Sequence, residues 1–178
     1  MVQVAKALIN TGAALSPRAL AKLQAQVLAM VRCLNCPGGP WDVGVMLTTD
    51  KHVQKLNRRF RKKDKPTDIL SFPFHKVRAP GRFPRVKTRE ERYLGDIYVS
   101  PAYVRRQCED PQLEEITTLE ERLPSTDKIW CIMVTRDRYD HELDYDYERM
   151  QKAENYILDR YPQFLPPAFT PTDAENGS

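Results

Sequence analysis

Leu20, Leu23, Val27, Val31 and Leu34 recur at the spacing of one helical face. Ser16-Pro17 before them offers a capping side chain followed by a proline at the first helical position, and Cys36-Pro37-Gly38-Gly39-Pro40 after them cannot continue a helix. The pattern therefore predicts an amphipathic helix over 16–34. Val2 to Ile9 is apolar enough for a strand in front of it. Trp41, Val43, Val45 and Leu47 alternate along the chain, as the buried positions of a half-buried strand do. Asp50 is placed to cap a second helix, with Val53, Leu56 and Phe60 on one face, and a polar loop follows from Arg61 to Thr67. Ile69 to Phe74 reads as a strand, with Pro73 at an edge or at its end. Leu94 to Val99 reads as another. Ser100-Pro101 repeats the cap-and-proline signal and opens a helix through Cys108. Residues 128–136 and 145–161 carry further helical patterns, the second through Tyr147, Met150, Ala153, Ile157 and Leu158.

Helices and strands mix along the chain without a clean strand–helix–strand alternation, which predicts an α+β domain with one small sheet. A single domain over 1–161 suits a length of 178 residues. The Pro-rich stretch 162–178 reads as an irregular tail. Residues 75–92 read as a long exposed basic loop and 109–127 as an acidic insert.

Composition narrows the classes. Forty-one per cent hydrophobic residues suffices for one core, and no apolar run approaches the roughly 18 residues of a membrane-spanning helix. No membrane partner is expected. Four cysteines (Cys33, Cys36, Cys108, Cys131) are too few for a disulfide framework in a chain this long, so a reducing interior compartment is expected. Residues 1–41 contain no Asp or Glu but do contain Lys6, Arg18, Lys22 and Arg32, a composition compatible with mitochondrial targeting. The net charge of +4 is mild, yet Lys51 to Arg92 is strongly basic and Glu109 to Asp159 acidic on balance. A basic half beside an acidic half points to a polyanion at one face.

Two clusters could carry chemistry. Arg58, Arg59, Arg61, Lys62, Lys63 and Lys65 surround Phe60 in a dense basic patch, suited to phosphate backbone without sequence readout. The alternative is a solvated helix end. In 131-CIMVTRDRYDH-141, Cys131 and Thr135 share one face if helical, and His141 follows the helix end, the spacing of a three-ligand metal site. Cys33 and Cys36 form a lone CxxC at a helix end rather than a helix start, and read as incidental thiols. The loop 76–92 is a candidate RNA- or protein-binding arm, or a plain solvated loop.

The stretches 56-LNRRFRKKDKPTDILSFPF-74 and 94-LGDIYVSP-101 are far more specific than any periodicity. Together they resemble the YbeY family of ribosome-maturation proteins, single-strand-specific endoribonucleases. The resemblance covers about residues 1–161, and the longer loop after Phe74 is closest in kind to eukaryotic, organellar members. It implies a small mixed sheet of about four strands packed with about five helices. It also implies action on rRNA of the small ribosomal subunit precursor, with ribosomal proteins or other assembly factors as partners. The chain would work as a monomer within a larger ribonucleoprotein complex. The mitochondrial matrix is the implied location, with the cytoplasm as the alternative. Arg61 falls on the family's arginine implicated in RNA processing, its catalytic candidate; a guanidinium can grip a phosphate and stabilise charge growing on it.

The family's third motif, H-G-x-L-H-L-x-G-(Y/F)-D-H, holds zinc through three histidines and falls on Cys131 to His141. Tyr139, Asp140 and His141 match; Cys131 and Thr135 replace the first two histidines. A thiolate can bind zinc, but a threonine alcohol ionises too reluctantly to be a strong ligand. Arg138 replaces a glycine, and Arg136 lies one turn from the same region, so positive charge gathers where a cation would sit. The expectation is a degenerate site without zinc in a protein that works by binding. An active zinc-dependent endoribonuclease acting in rRNA 3′-end processing is the alternative.

Overall fold

The local signals at Ser16 and Pro17 operate as the sequence implies. Ser16 stays extended (φ −61°, ψ 153°) and its Oγ accepts the Ala19 N–H at 3.1 Å, so α1 runs Pro17–Cys33. The computed structural model describes residues 2–5, 15–75, 83–110, 155–157 and 159–169. The other elements are β1 (Val2–Ala5), β2 (Asp42–Leu47), α2 (Asp50–Arg61), β3 (Ile69–Pro73), β4 (Tyr93–Val99) and α3 (Pro101–Cys108). Tyr161–Phe164 and Pro167–Phe169 are short 3-10 turns. The expected helix over 128–136, nearly all of the acidic insert, loop residues 76–82, most of the 145–161 helix, and Cys131, Thr135 and His141 lie outside the described residues.

The fold is α+β. Its sheet has four strands in the order β1-β2-β4-β3, with β1, β2 and β4 parallel and β3 antiparallel at the edge. Pro73, which has no N–H for a ladder, ends that edge strand. Val43, Val45, Leu47, Ile69, Ile97 and Val99 form one sheet face and bury it against Leu23, Val27, Met30 and Val31 of α1, with Val104 and Cys108 of α3 and Ile157. Each of these larger side chains contributes about 1.5–3 kcal/mol by leaving water.

The second sheet face positions the candidate site. By register, Leu70 and Phe72 of β3, Asp96 and Tyr98 of β4, and Gly44 and Met46 of β2 share it. A bulge in β4 sets this alternation: Asp42 pairs with Tyr93 and Gly44 with Asp96, so Leu94 and Gly95 together oppose Val43. Gly95 takes φ +132°, and a Cβ there would meet the Phe72 carbonyl oxygen. Glycine is therefore required at the second position of the LGDI stretch.

Several local expectations are corrected. Thr49, not Asp50, caps α2: its Oγ1 accepts the His52 N–H at 3.3 Å. Asp50 instead accepts from Ser100 Oγ (2.5 Å) and Arg106 Nη2 (2.6 Å), which joins the start of α2 to the start of α3. Ser100 makes no side-chain cap to α3; its hydroxyl is turned toward Asp50 and donates to it. Phe60 does not share the buried face of α2. Val53 and Asn57 are buried there, Leu56 is half-buried, and Phe60 is 55% exposed. The 75–92 loop is not wholly solvated, since Phe83 and Val86 pack on the core and Phe83 lies against Trp41.

Candidate nucleic-acid interface

Six cations and one acid, Asp64, lie between Arg58 and Lys65. Arg58, Arg59 and Arg61 occupy the last turn of α2, where the carbonyl end of the helix dipole favours positive charge. Lys62 then turns left-handed (φ 59°), the place glycine usually fills. Its Nζ donates to the Arg59 carbonyl at 3.1 Å, and the Lys63 N–H donates to the Asn57 carbonyl at 3.4 Å. The chain leaves the helix sharply, with Lys63 to Lys65 folded back over α2.

Asn57 fixes that fold-back. Only 2% exposed, it donates from Nδ2 to the Lys65 carbonyl at 2.8 Å. Gln54 Nε2 donates to Asp64 Oδ1 at 3.1 Å, and Arg58 lies 3.9 Å from the other Asp64 oxygen. Both partners of that ion pair are mostly exposed, so it contributes little. At the far end of the loop, buried Asp68 accepts from Thr67 Oγ1 and the Ile69 N–H through Oδ1, and its carbonyl accepts the Ser100 N–H. The polar residues of the KPTDIL stretch thus hold a cationic loop in place.

All six expected RNA-binding residues, Arg58, Arg59, Arg61, Lys62, Lys63 and Lys65, are exposed. The Arg61 side chain has no hydrogen-bond or ion-pair partner among the described residues, whereas Arg58 lies near Asp64. Such a surface can hold phosphates and release counterions when it does so.

Aromatic rings adjoin the cations. Phe60 meets Phe72 edge-on at 4.8 Å between centroids, Phe72 meets Tyr98 at 5.6 Å, and Tyr98 stacks on His52 at 5.8 Å and 14°. Beside them Tyr93 OH donates to Asp96 Oδ1 at 2.5 Å, over Gly44. Burial, then the bond to Asp96, pushes the Tyr93 phenol well above its ordinary range. Burial, then the Asp96 charge, raises Tyr98 as well. Asn57, Phe72, Tyr98 and the Tyr93–Asp96 pair were not anticipated as site residues, because only strand register and the loop fold-back bring them together.

The thiol pair offers no reactive centre. Cys33 and Cys36 are free; burial raises the first and pushes the second up to about 12. Among the described residues no group of three His, Cys, Asp or Glu side chains could hold a metal ion. No helix among them is long and apolar enough to cross a membrane.

Comparison with known proteins places these features in a family. The family described as "Endoribonuclease YbeY" matches residues 9–122, which include both the 56–74 and 94–101 stretches. The chain is similar to proteins named "Endoribonuclease YbeY" in Homo sapiens (28% identical, covering 67% of each chain) and in Rhodopseudomonas palustris (33%, covering 80% of this chain and 71% of the relative). It is similar to one from Persephonella marina as well (34%, 66% and 63%). Among solved structures, the solution structure of a Thermotoga maritima protein aligns over 99% of this chain and 100% of its own, at 19% identity and a TM-score of 0.48.

Proposed function

The chain belongs to the endoribonuclease YbeY family, and from that premise we propose that it is a ribosome biogenesis factor that binds rRNA of the small-subunit precursor. One observation carries the reading: the last turn of α2 and the loop after it, pinned by Asn57 and Asp68, present six basic side chains from Arg58 to Lys65 against a single acid. Binding of this kind is electrostatic and indifferent to sequence, so the ribosomal particle supplies the address. The protein acts as a monomer within the ribonucleoprotein particle, beside ribosomal proteins or other assembly factors, in the mitochondrial matrix.

The family's zinc fits this chain poorly. At the ligand-equivalent positions stand one thiol, one alcohol and one imidazole, from Cys131, Thr135 and His141. An alcohol is not among the donors that hold zinc in proteins, and Arg136 and Arg138 add positive charge nearby. The proposed action is therefore binding without catalytic zinc, with Arg61 as a phosphate contact rather than a catalytic group. The second reading is a metal-dependent endoribonuclease with a rebuilt site. It is favoured by the names of the relatives and by the two usable donors that remain, Cys131 and His141.

Titration of rRNA binding against salt tests the patch. Neutralising Arg58, Arg59 and Lys62 together should reduce the slope of log affinity on log salt by about 2, at roughly 0.7 per phosphate contact on a single strand. An unchanged slope removes the patch from the interface. Metal analysis separates the two readings. Stoichiometric zinc that disappears in Cys131→Ala or His141→Ala would defeat the binding-only reading; no metal and no zinc-responsive cleavage of single-stranded RNA would defeat the nuclease. Failure to co-sediment with small-subunit precursors would defeat the ribosomal assignment, and a cytoplasmic fusion protein the matrix one.

A further inference from the structure

Phe60 and Phe74 are the most exposed of the large hydrophobic side chains among the described residues, at 55% and 60%. Phe60 stands between Arg59 and Arg61 on the last turn of α2, with the Arg59 guanidinium 5.3 Å from its ring centroid. An apolar ring ringed by cations suits an apolar protein partner badly, because docking would strip water from the charges. A polymer that alternates flat aromatic bases with phosphates suits it well, since bases stack on aromatic rings while neighbouring cations track the backbone.

The ring is also supported from behind. Phe72 meets it edge-on at 4.8 Å and 64°, and Phe72 is in turn buttressed by Tyr98 at 5.6 Å and 83°. An edge-on contact fixes the tilt of Phe60 while leaving ring face exposed. The support comes from β3 and β4, rigid parts of the sheet, so the platform is pre-formed and little side-chain freedom is lost when it is occupied.

Building on the RNA reading above, we propose that the Phe60 ring is a stacking platform for one unpaired base. Arg59, Arg61 and Lys62 hold the phosphates on either side of that base. Phe72 and Tyr98 are positioning residues for the ring. A duplex keeps its bases stacked on one another and offers this ring none, so Phe60 favours single strands while the cations by themselves favour neither form.

The test is fluorescence anisotropy of the full chain with a labelled RNA of about 12 nucleotides, within the range of single-strand site sizes, as a single strand and as a duplex at several salt concentrations. Phe60→Leu keeps apolar bulk at an exposed position and removes the π face. It should weaken single-strand binding by about 5- to 150-fold, leave the salt slope unchanged and leave duplex binding unchanged. Phe60→Tyr restores the ring and should restore affinity. Equal affinity for wild type and Phe60→Leu, or an equal loss for duplex, would overturn the stacking assignment while the cationic interface stands. Absence of salt-dependent RNA binding in the wild type would overturn both. Unchanged RNA affinity in Phe60→Leu together with lost association with ribosomal particles would also overturn it, and would assign the ring to a protein partner.

Discussion

Gly95→Ala should be among the most damaging single substitutions in the sheet. The glycine sits at φ +132° inside the β4 bulge, a conformation that costs an L-residue about 1–3 kcal/mol. The added Cβ would also meet the Phe72 carbonyl oxygen, and would lie 2.9 Å from both Phe74 N and Pro73 Cα. All three are backbone atoms of β3 or its end, so no rotamer change relieves the contact. The edge strand must move away, which loses the Phe74 N–H to Leu94 carbonyl bond (2.9 Å), worth about 0.5–1.5 kcal/mol net. Together these give roughly 3 kcal/mol, a large part of the 5–15 kcal/mol typical of a domain. With a urea m-value of about 2 kcal/mol per molar, the unfolding midpoint should fall by about 1.5 M, read by circular dichroism. Displacing β3 also withdraws Phe72 from Phe60, so single-strand RNA affinity should fall in the surviving folded fraction. A midpoint shift below about 0.3 M would refute the steric reasoning. Gly44→Ala provides the contrast. Its Cβ would meet side chains, Asp96 Oδ1 and Tyr93 OH, which can swing aside, so a loss of about 1–2 kcal/mol is expected in the same urea titration.

Asn57→Ala removes the bond to the Lys65 carbonyl and should destabilise by about 1 kcal/mol in thermal unfolding, while RNA affinity falls because the loop cations lose their fixed positions. Unchanged affinity would show that the fold-back does not matter to binding. Cys36, pushed by burial from 9.0 to about 12, should alkylate with iodoacetamide about 1,000-fold more slowly at pH 8 than an exposed thiol, measured by peptide mass spectrometry. A rate near that of a free thiol would contradict its burial. Stability should also decline at alkaline pH. Cys36 and Tyr93 both have folded pKa values above their unfolded ones, so the folded state keeps protons that the unfolded state has lost. Their contribution is full below the unfolded values and falls away as pH rises from about 9 upward; a flat urea midpoint between pH 8 and 11 would contradict this.

Where neighbouring residues settle a conformation, the chain is legible. The α1 boundaries follow from Ser16-Pro17 and the Pro/Gly cluster after Cys36, and the β2 alternation places Trp41, Val43, Val45 and Leu47 inward. Helical spacing fails at Phe60 because it treats every turn as equally covered. The last turn of α2 is covered by a loop rather than by a core, and Asn57, not Phe60, turns inward to meet the Lys65 carbonyl. Thr49 and Asp50 are both good caps in isolation; Asp50 is drawn off by Ser100 and Arg106, some 50 residues further along the chain.

The division between the two levels is physical. By itself the sequence determined the class of fold, the family through its KDKPTD and LGDI stretches, and the cationic patch from Arg58 to Lys65. These depend on residue identity and short-range spacing. Only the tertiary structure decided the strand order β1-β2-β4-β3, the bulge that needs Gly95, and the row of rings from Phe60 to His52. Strand order and register depend on pairings between segments far apart in the chain, which no local pattern specifies. The basic patch was therefore visible as charge, and its character as a charged loop with an aromatic platform emerged only once β3 was laid antiparallel beside β4.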